Sequence, residues 1–286
     1  MPADYDRQQR ALLDAVWDDY DNDAPRLAYA DWLDSIGDPA DSARAEHVRL
    51  SVQFPERKYH EPASRAAFAR LSELEKKYRS AWLAGLPNGL DARQPIVRRG
   101  MFELALYAAP AELLADGERN FRRSPPDVAF QIVFRLVSAK KPEADRQTDW
   151  AALFARPWWD RVISLTCQPR GLGPAEVGMI AGNPAFRRLR DLSLQGCRVG
   201  DEGVEALVAS PHLGQLRTLN LTASALTGRG AVAVAARPRM PKLKILYLSG
   251  NAGIDDAGWA EVRAAVGTAV RVIGDPDTQP NDDIPF

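Results

Sequence analysis

LRDLSLQGC from Leu189, LRTLNLTAS from Leu216 and LKILYLSGN from Leu243 are three versions of one phrase, spaced 27 residues apart. Each carries leucine or isoleucine-like bulk at fixed places and ends on Cys197, Ser224 or Asn251. Within the phrase, apolar and polar residues alternate, as Leu192 and Leu194 do around Ser193, which is the period of a strand with one buried face. After each phrase the period changes to that of a helix, over 203–210, 230–236 and 258–266. Val204 with Leu207, and Trp259 with Val262, are the inward pairs of the first and last of these.

A strand and a helix that recur every 27 residues cannot fold singly. Ordering the backbone costs about 1 to 2 kcal/mol per residue, more than the few large apolar side chains of one repeat return. Only neighbours covering both of its sides close that gap. The phrase L-x-x-L-x-L-x-x-(N, C or S) resembles the leucine-rich repeat, and its period and its N/C position resemble the ribonuclease-inhibitor class of that family. The resemblance implies an α/β solenoid with parallel strands on a concave face and helices on the convex face. Weaker copies extend it toward the N-terminus. Ile163 and Leu165 match Leu192 and Leu194 at a distance of 29 residues, with Val177 and Ile180 in the helix; Leu104 and Leu106, with Leu113 and Leu114, form another; a further copy runs through Val128 to Leu136 in an open register. Val270, Val272 and Ile273 close the array. The expectation is about six repeats over 96–274, followed by an acidic, disordered tail over 275–286.

Residues 1–95 have a different texture, without strand-like alternation. Leu12, Leu13, Val16 and Trp17 mark a first helix over 7–18. The acidic stretch DDYDND leads to Pro25, where proline suits the first turn of a second helix, which stops at Gly37 with Pro39 beyond it. A third helix is expected over 42–54. A fourth, over 63–83, shows Phe68, Leu71, Leu74, Tyr78 and Trp82 along one stripe. This small all-α domain resembles the bacterial repeat-companion domain, a module found in front of repeat arrays. The likeness is carried by Asp23, Pro25-Arg26-Leu27, Tyr29-Ala30-Asp31-Trp32-Leu33, Gly37-Asp38, Ala45-Glu46 and Arg49-Leu50, and more loosely by Ala81-Trp82-Leu83. His47 stands where that family more often has a large apolar residue, and Ser51 where it has glutamine. The resemblance implies architecture more than chemistry, since no activity belongs to that family as a class.

Composition places the chain among ordinary soluble proteins, with 45% hydrophobic and 26% charged residues and a formal net charge of -1. The charged start MPADYDRQQR is unlike a secretory leader, and no run of 18 apolar residues occurs. With two cysteines, Cys167 and Cys197, the expected setting is the reducing cytoplasm. No cofactor or metal is implied. Asp19, Asp21 and Asp23 have calcium-loop spacing, but Ala24 stands where glycine is needed and Ala30 where a closing glutamate belongs. His47, His60 and His212 lack metal-ligand spacing. Cys197 has the expected role of a structural residue at the N/C position. Gly171-x-Gly173 has no phosphate-loop continuation, and Gly228 with Gly230 reads as a turn. Trp32 and Trp82 are core residues of the helical domain, while at most one of Trp158 and Trp159 is expected to point inward.

The outward positions of the strands are the candidate site. Ser164 and Thr166, then Asp191, Ser193 and Gln195, then Thr218, Asn220 and Thr222, then Ile245, Tyr247 and Ser249 fall on one face, joined by Glu103 and Tyr107 from the early copy. The expectation is a non-enzymatic, monomeric scaffold that binds an unidentified protein on this face, with no membrane attachment and the helical domain as cap or second module. Aromatic anchors such as Tyr107 and Tyr247 favour that role. Two alternatives compete. Arginine clusters at Arg98-Arg99, Arg119 with Arg122-Arg123, and Arg187-Arg188 with Arg190 have the chemistry to grip RNA or another polyanion, against which the balanced acidic content argues. The helical domain could instead be an enzyme or effector, a view that an essential Asp31 or Glu46 would favour.

Overall fold

A computed structural model describes residues 3–54, 61–86, 91–92, 94–134, 148–167, 172–237, 239–267 and 270–276. His60, Gly171, Leu136 and the tail from 277 onward lie outside the described residues. The chain divides into two compact units, one of residues 1–106 with 119–130 and the other of residues 107–118 with 131–286.

The first unit holds the helices α1 (Ala3–Asp18), α2 (Ala24–Ile36), α3 (Pro39–Gln53) and α4 (Pro62–Trp82). Gly37 takes the left-handed conformation that ends α2, with φ 78°. Pro39 does more than stop that helix: it is the first residue of α3, which starts three residues earlier than the sequence suggests. Asp38 caps it, accepting from Ala40 N at 2.8 Å and Asp41 N at 3.3 Å. Trp32 and Trp82 are buried, as their place in the apolar stripes requires, and Trp82 Nε1 donates to Ala40 O at 2.9 Å. The same unit contains the short strands β1 (Asp91–Ala92) and β2 (Ile96–Arg98) and most of β3 (Met101–Ala108). Strands β2 and β3 form an antiparallel hairpin, Arg98 opposite Met101, where the sequence suggested only a repeat strand. Its two-residue turn, Arg99 and Gly100, has positive φ at both places. A Cβ on Gly100 would meet the Val48 Cα at 2.9 Å, so the turn lies against α3.

In the second unit the strands follow in chain order. The later half of β4 (Val128–Phe134) is followed by β5 (Val162–Thr166), β6 (Asp191–Ser193), β7 (Thr218–Asn220), β8 (Ile245–Tyr247) and β9 (Arg271–Ile273), each hydrogen-bonded to the next. Those from β5 to β9 pair in parallel, with Leu165, Leu192, Leu219, Leu246 and Val272 side by side. Between them run α7 (Pro174–Gly182), α8 (Gly200–Ala209), α9 (Gly228–Ala236) and α10 (Asp256–Val266), preceded by the first part of α5 (Pro110–Arg123) and the short α6 (Trp150–Phe154). The leucines of the phrase are buried, and so are Val204, Leu207, Val234 and Val262 of the helices. Gly230 permits close helix packing, since a Cβ there would come within 2.3 Å of Asp201 Oδ1. Asp201 in turn accepts from Thr227 N at 3.0 Å, latching one helix to the start of the next. Among the described residues, no helix is long and apolar enough to cross a membrane.

Two expectations need correction. In the copy around Ile163, Leu165 lies beside Leu192 rather than Leu194, so the period is 27 there too and Cys167 takes the place of Leu194. Cys167 N donates to Ser193 O at 2.8 Å just as Leu194 N donates to Asn220 O. Ile163, Leu165 and Cys167 are all apolar, which is why the sequence admits a slip of two. Secondly, Trp158 and Trp159 are both buried. They sit in a 3-10 turn, Pro157–Arg161, whose successive side chains diverge by about a third of a turn. Trp159 Nε1 donates to Leu153 O at 2.8 Å, while Trp158 lies over Gly117, where a Cβ would be only 3.0 Å from its ring.

Asn251 joins its own rung to the one before it. Its Oδ1 accepts from Ser224 N at 2.8 Å and Leu226 N at 3.1 Å, and its Nδ2 donates to Leu221 O and Leu248 O, both at 2.8 Å. Ser224 and Cys197 make smaller versions of the same link, Ser224 Oγ donating to Leu194 O at 3.0 Å and Cys197 Sγ lying 3.9 Å from Cys167 O. Asn251→Ala therefore strands four buried backbone groups and is expected to cost about 2 to 4 kcal/mol in urea unfolding. Asn251→Ser is expected to cost less than the alanine. Equal losses for the two would show that the bonds are not what the position contributes.

Candidate functional site

Because β5 to β9 are in register, their outward residues line up in rows. One row is Ser164, Asp191, Thr218, Ile245 and Arg271; the next is Thr166, Ser193, Asn220, Tyr247 and Ile273. A third continues past the strand ends through Gln195, Thr222 and Ser249, where Gly196 N donates to Thr222 O and Ala223 N to Ser249 O, both at 2.8 Å. Asp191, Gln195 and Arg271 are exposed, and the others in these rows are half-buried. Every outward residue that the sequence picked out from Ser164 to Ser249 thus lies on one open sheet face. The slip of two in the first copy leaves this intact, because a shift by a whole strand period keeps each side chain on its side. Arg271 and Ile273 were missed. Their strand has no L-x-x-L-x-L phrase to mark its register.

Glu103 is not part of an exposed surface. It is only 3% exposed: its Oε1 accepts from Tyr20 Oη at 2.9 Å, and its Oε2 lies 3.6 Å from Arg98 Nε. Its parity in β3 is outward, as expected, but the chain after α1 covers it. Tyr107, four residues on, is half-buried.

Several of the other chemical candidates are paired or buried. Arg99 occupies the acidic loop, donating to Asp23 Oδ1 at 2.6 Å and to Asp21 O at 2.9 Å. A guanidinium thus sits among the carboxylates where a cation would have to bind. Among the described residues, no group of three or more His, Cys, Asp and Glu side chains could hold a metal ion. Asp31 pairs with Arg49 at 2.6 Å, and Glu46 with Arg70 at 2.7 Å and 2.8 Å. The hydrogen bonds from Arg70 hold the Glu46 carboxyl below the usual range, the reverse of what a general acid needs. Burial pushes the Cys197 thiol up to about 11 and Cys167 well above its ordinary value, so neither is a ready nucleophile. Arg188 and Arg190 are buried, which withdraws two members of one arginine cluster from the surface.

A buried polar chain in the helical unit had no signal in the sequence beyond the odd His47. Arg44, 2% exposed, donates from Nε and Nη2 to Asp127 Oδ2 at 3.0 and 2.9 Å. Its Nη1 lies 3.0 Å from His47 Nδ1, and His47 Nε2 lies 3.3 Å from Glu75 Oε1. An arginine can only donate. His47 Nδ1 must therefore accept, and a neutral imidazole with its proton on Nε2 satisfies both neighbours. Trp82 and Phe102 flank the group, and the Arg44 guanidinium sits 4.3 Å from the centre of the Phe102 ring.

Residues 188–208 and 239–259 match the model of the family described as Leucine Rich repeat. The chain contains leucine-rich repeats. No curated protein matches the chain. The two matched repeats contain Asp191, Ser193, Gln195, Ile245, Tyr247 and Ser249, the residues at either end of the clearest part of the open face.

Burial pushes the His47 pKa below its ordinary value, against the opposing pull of the Glu75 hydrogen bond. The unfolded chain therefore takes up this proton first, near pH 6.5. The contribution to stability is complete above that pH and is lost as pH falls toward the folded-state value, by at most about 1.4 kcal/mol per pH unit. Urea unfolding at pH 7.5 and 5.5 is expected to show a larger acid loss for the natural protein than for His47→Gln, which keeps an acceptor and a donor. Identical losses would mean that His47 is not the titrating group.

Proposed function

We propose that the chain is a protein-binding scaffold without enzymatic activity: a helical domain over 1–95, of the bacterial repeat-companion type, in front of a leucine-rich-repeat solenoid over 96–274. Its concave face, from Asp191 through Asn220 to Tyr247, meets a protein partner. The observation that carries this reading is the alignment of outward side chains in continuous rows, one residue per rung. Such rows offer a broad surface rather than an enclosed pocket, which suits a macromolecule better than a small metabolite. Tyr247 and Ile245 supply half-buried bulk of the kind that anchors interfaces. The repeats also belong to a class commonly used for protein interaction. A soluble, monomeric, cytoplasmic protein fits the charge balance and the two reduced cysteines.

Affinity purification of the tagged full chain from the cells that make it tests the proposal. A Tyr247→Ala/Asp191→Ala variant is expected to retain less than about a tenth of one specific co-purifying protein, since truncating an interface anchor costs about 2 kcal/mol or more. An unchanged set of co-purifying proteins would overturn the proposal.

A further inference from the structure

The polar chain buried in the helical unit has one contact that a single proton reverses. Arg44 Nη1 lies 3.0 Å from His47 Nδ1, and since a guanidinium only donates, the contact holds while Nδ1 keeps its lone pair. A proton on Nδ1 sets donor against donor and cation against cation, where both side chains are buried. We propose that this contact is an acid-operated latch: with His47 neutral it holds the chain before β4 against α3 through Asp127, and with His47 protonated it lets that segment go.

The surroundings decide which partner yields. Glu75 on α4 attracts an imidazolium, but it already takes the Nε2 proton, 3.3 Å away, and has no bond to offer on the Nδ1 side. Arg79, also on α4, is bonded to Glu75 and to Pro95 O, and together with Arg44 it opposes charge on the ring. Trp82 and Phe102 flank the imidazole, with ring centroids 5.3 and 6.1 Å from its own. The ring is therefore held on three sides, and Arg44 is the group that must move. Its guanidinium is one rigid plane. Withdrawing Nη1 draws away Nε and Nη2, whose bonds to Asp127 Oδ2, 3.0 and 2.9 Å long, tie the segment before β4 to α3. Burial, which lowers the His47 pKa, keeps the latch closed near neutrality.

Loss of overall stability in acid requires only that unfolding exposes His47, whereas a latch opens one segment of a folded protein. Hydrogen exchange of the full chain, followed by mass spectrometry and corrected for the intrinsic rate at each pH, separates the two. Once the segment has left, His47 takes up its proton near its ordinary pKa of about 6.5, so protection over residues 119–130 is expected to fall about tenfold from pH 7.5 to 5.5. Helices α1 and α2 and the repeats over 189–250 are expected to keep theirs. No fall over 119–130, or an equal fall in all of these segments, would overturn the proposal. His47→Gln has no titrating group at this place and is expected to show the same protection over 119–130 at both pH values; a tenfold fall that persists in it would also overturn the proposal, by placing the titration elsewhere. If that variant is unprotected already at pH 7.5, His47→Asn, whose Oδ1 stands closer to the place of Nδ1, is the one to compare, and should both be open, the pattern in the natural protein decides alone.

Discussion

Backbone pairing at a 27-residue step from β5 to β8, closed by a step of 26 to β9, is the constraint from which the rest of the second unit follows. Leu192, Leu219 and Leu246 lie side by side because each strand is only three residues long and bonds to its neighbour in parallel. With so few bonds per strand, register depends on what brackets the strand. At its start, Arg217 N donates to Arg190 O and Lys244 N to Arg217 O; at its end, Leu221 N donates to Tyr247 O. Beyond that, the Cys197, Ser224 and Asn251 positions turn the chain toward the helices. A single displaced rung would leave buried amides without partners on both sides, at a cost of about 1 to 3 kcal/mol each. Neighbouring rungs therefore hold one another in place, and the rows of outward side chains are as regular as the backbone beneath them.

That regularity explains what was legible in the sequence. Leucine at fixed places in three phrases sets the period, and strand alternation assigns faces without knowledge of loops or partners. The assignment survived the two-residue slip around Ile163 because a face depends on odd or even position and not on absolute register. Relations between residues far apart in the chain were not legible. Glu103 has the same parity as Tyr107, yet Tyr20, 83 positions earlier, lies over it. Arg44 and Asp127 are likewise 83 positions apart, and neither stands in a motif. Trp158 and Trp159 misled for a local reason: strand or helix periodicity places adjacent residues on different faces, whereas a 3-10 turn packed on two sides buries both.

The polar chain through Arg44 shows a different economy of folding from the repeats. A buried ion pair gains little net stability unless its remaining hydrogen-bonding capacity is met, because each charge loses its hydration. Here two Arg44 nitrogens meet Asp127, a third meets His47, and the ring faces of Phe102 and Trp82 cover the guanidinium. Such a group contributes direction more than energy. It specifies which segment before β4 lies against α3, where an apolar contact would tolerate several. An apolar residue at position 47 could fill the space, but it would leave Arg44 Nη1 without the acceptor that His47 Nδ1 provides.

On the proposed reading, the order of the repeats bears on function through one requirement, that an exposed surface be held still. A half-buried side chain such as Tyr247 lends binding energy only if little motion has to be frozen when a partner arrives. On the sheet face, the neighbouring rows restrict each side chain laterally, Asn220 beside Tyr247 in the one and Thr218 beside Ile245 in the other. The repeat supplies an invariant frame, and the few outward positions per rung are free of the packing demands that fix the leucines. On the proposed reading, partner choice can therefore be set residue by residue on that face without disturbing the core, which is also why the repeat pattern marks the face but names no partner.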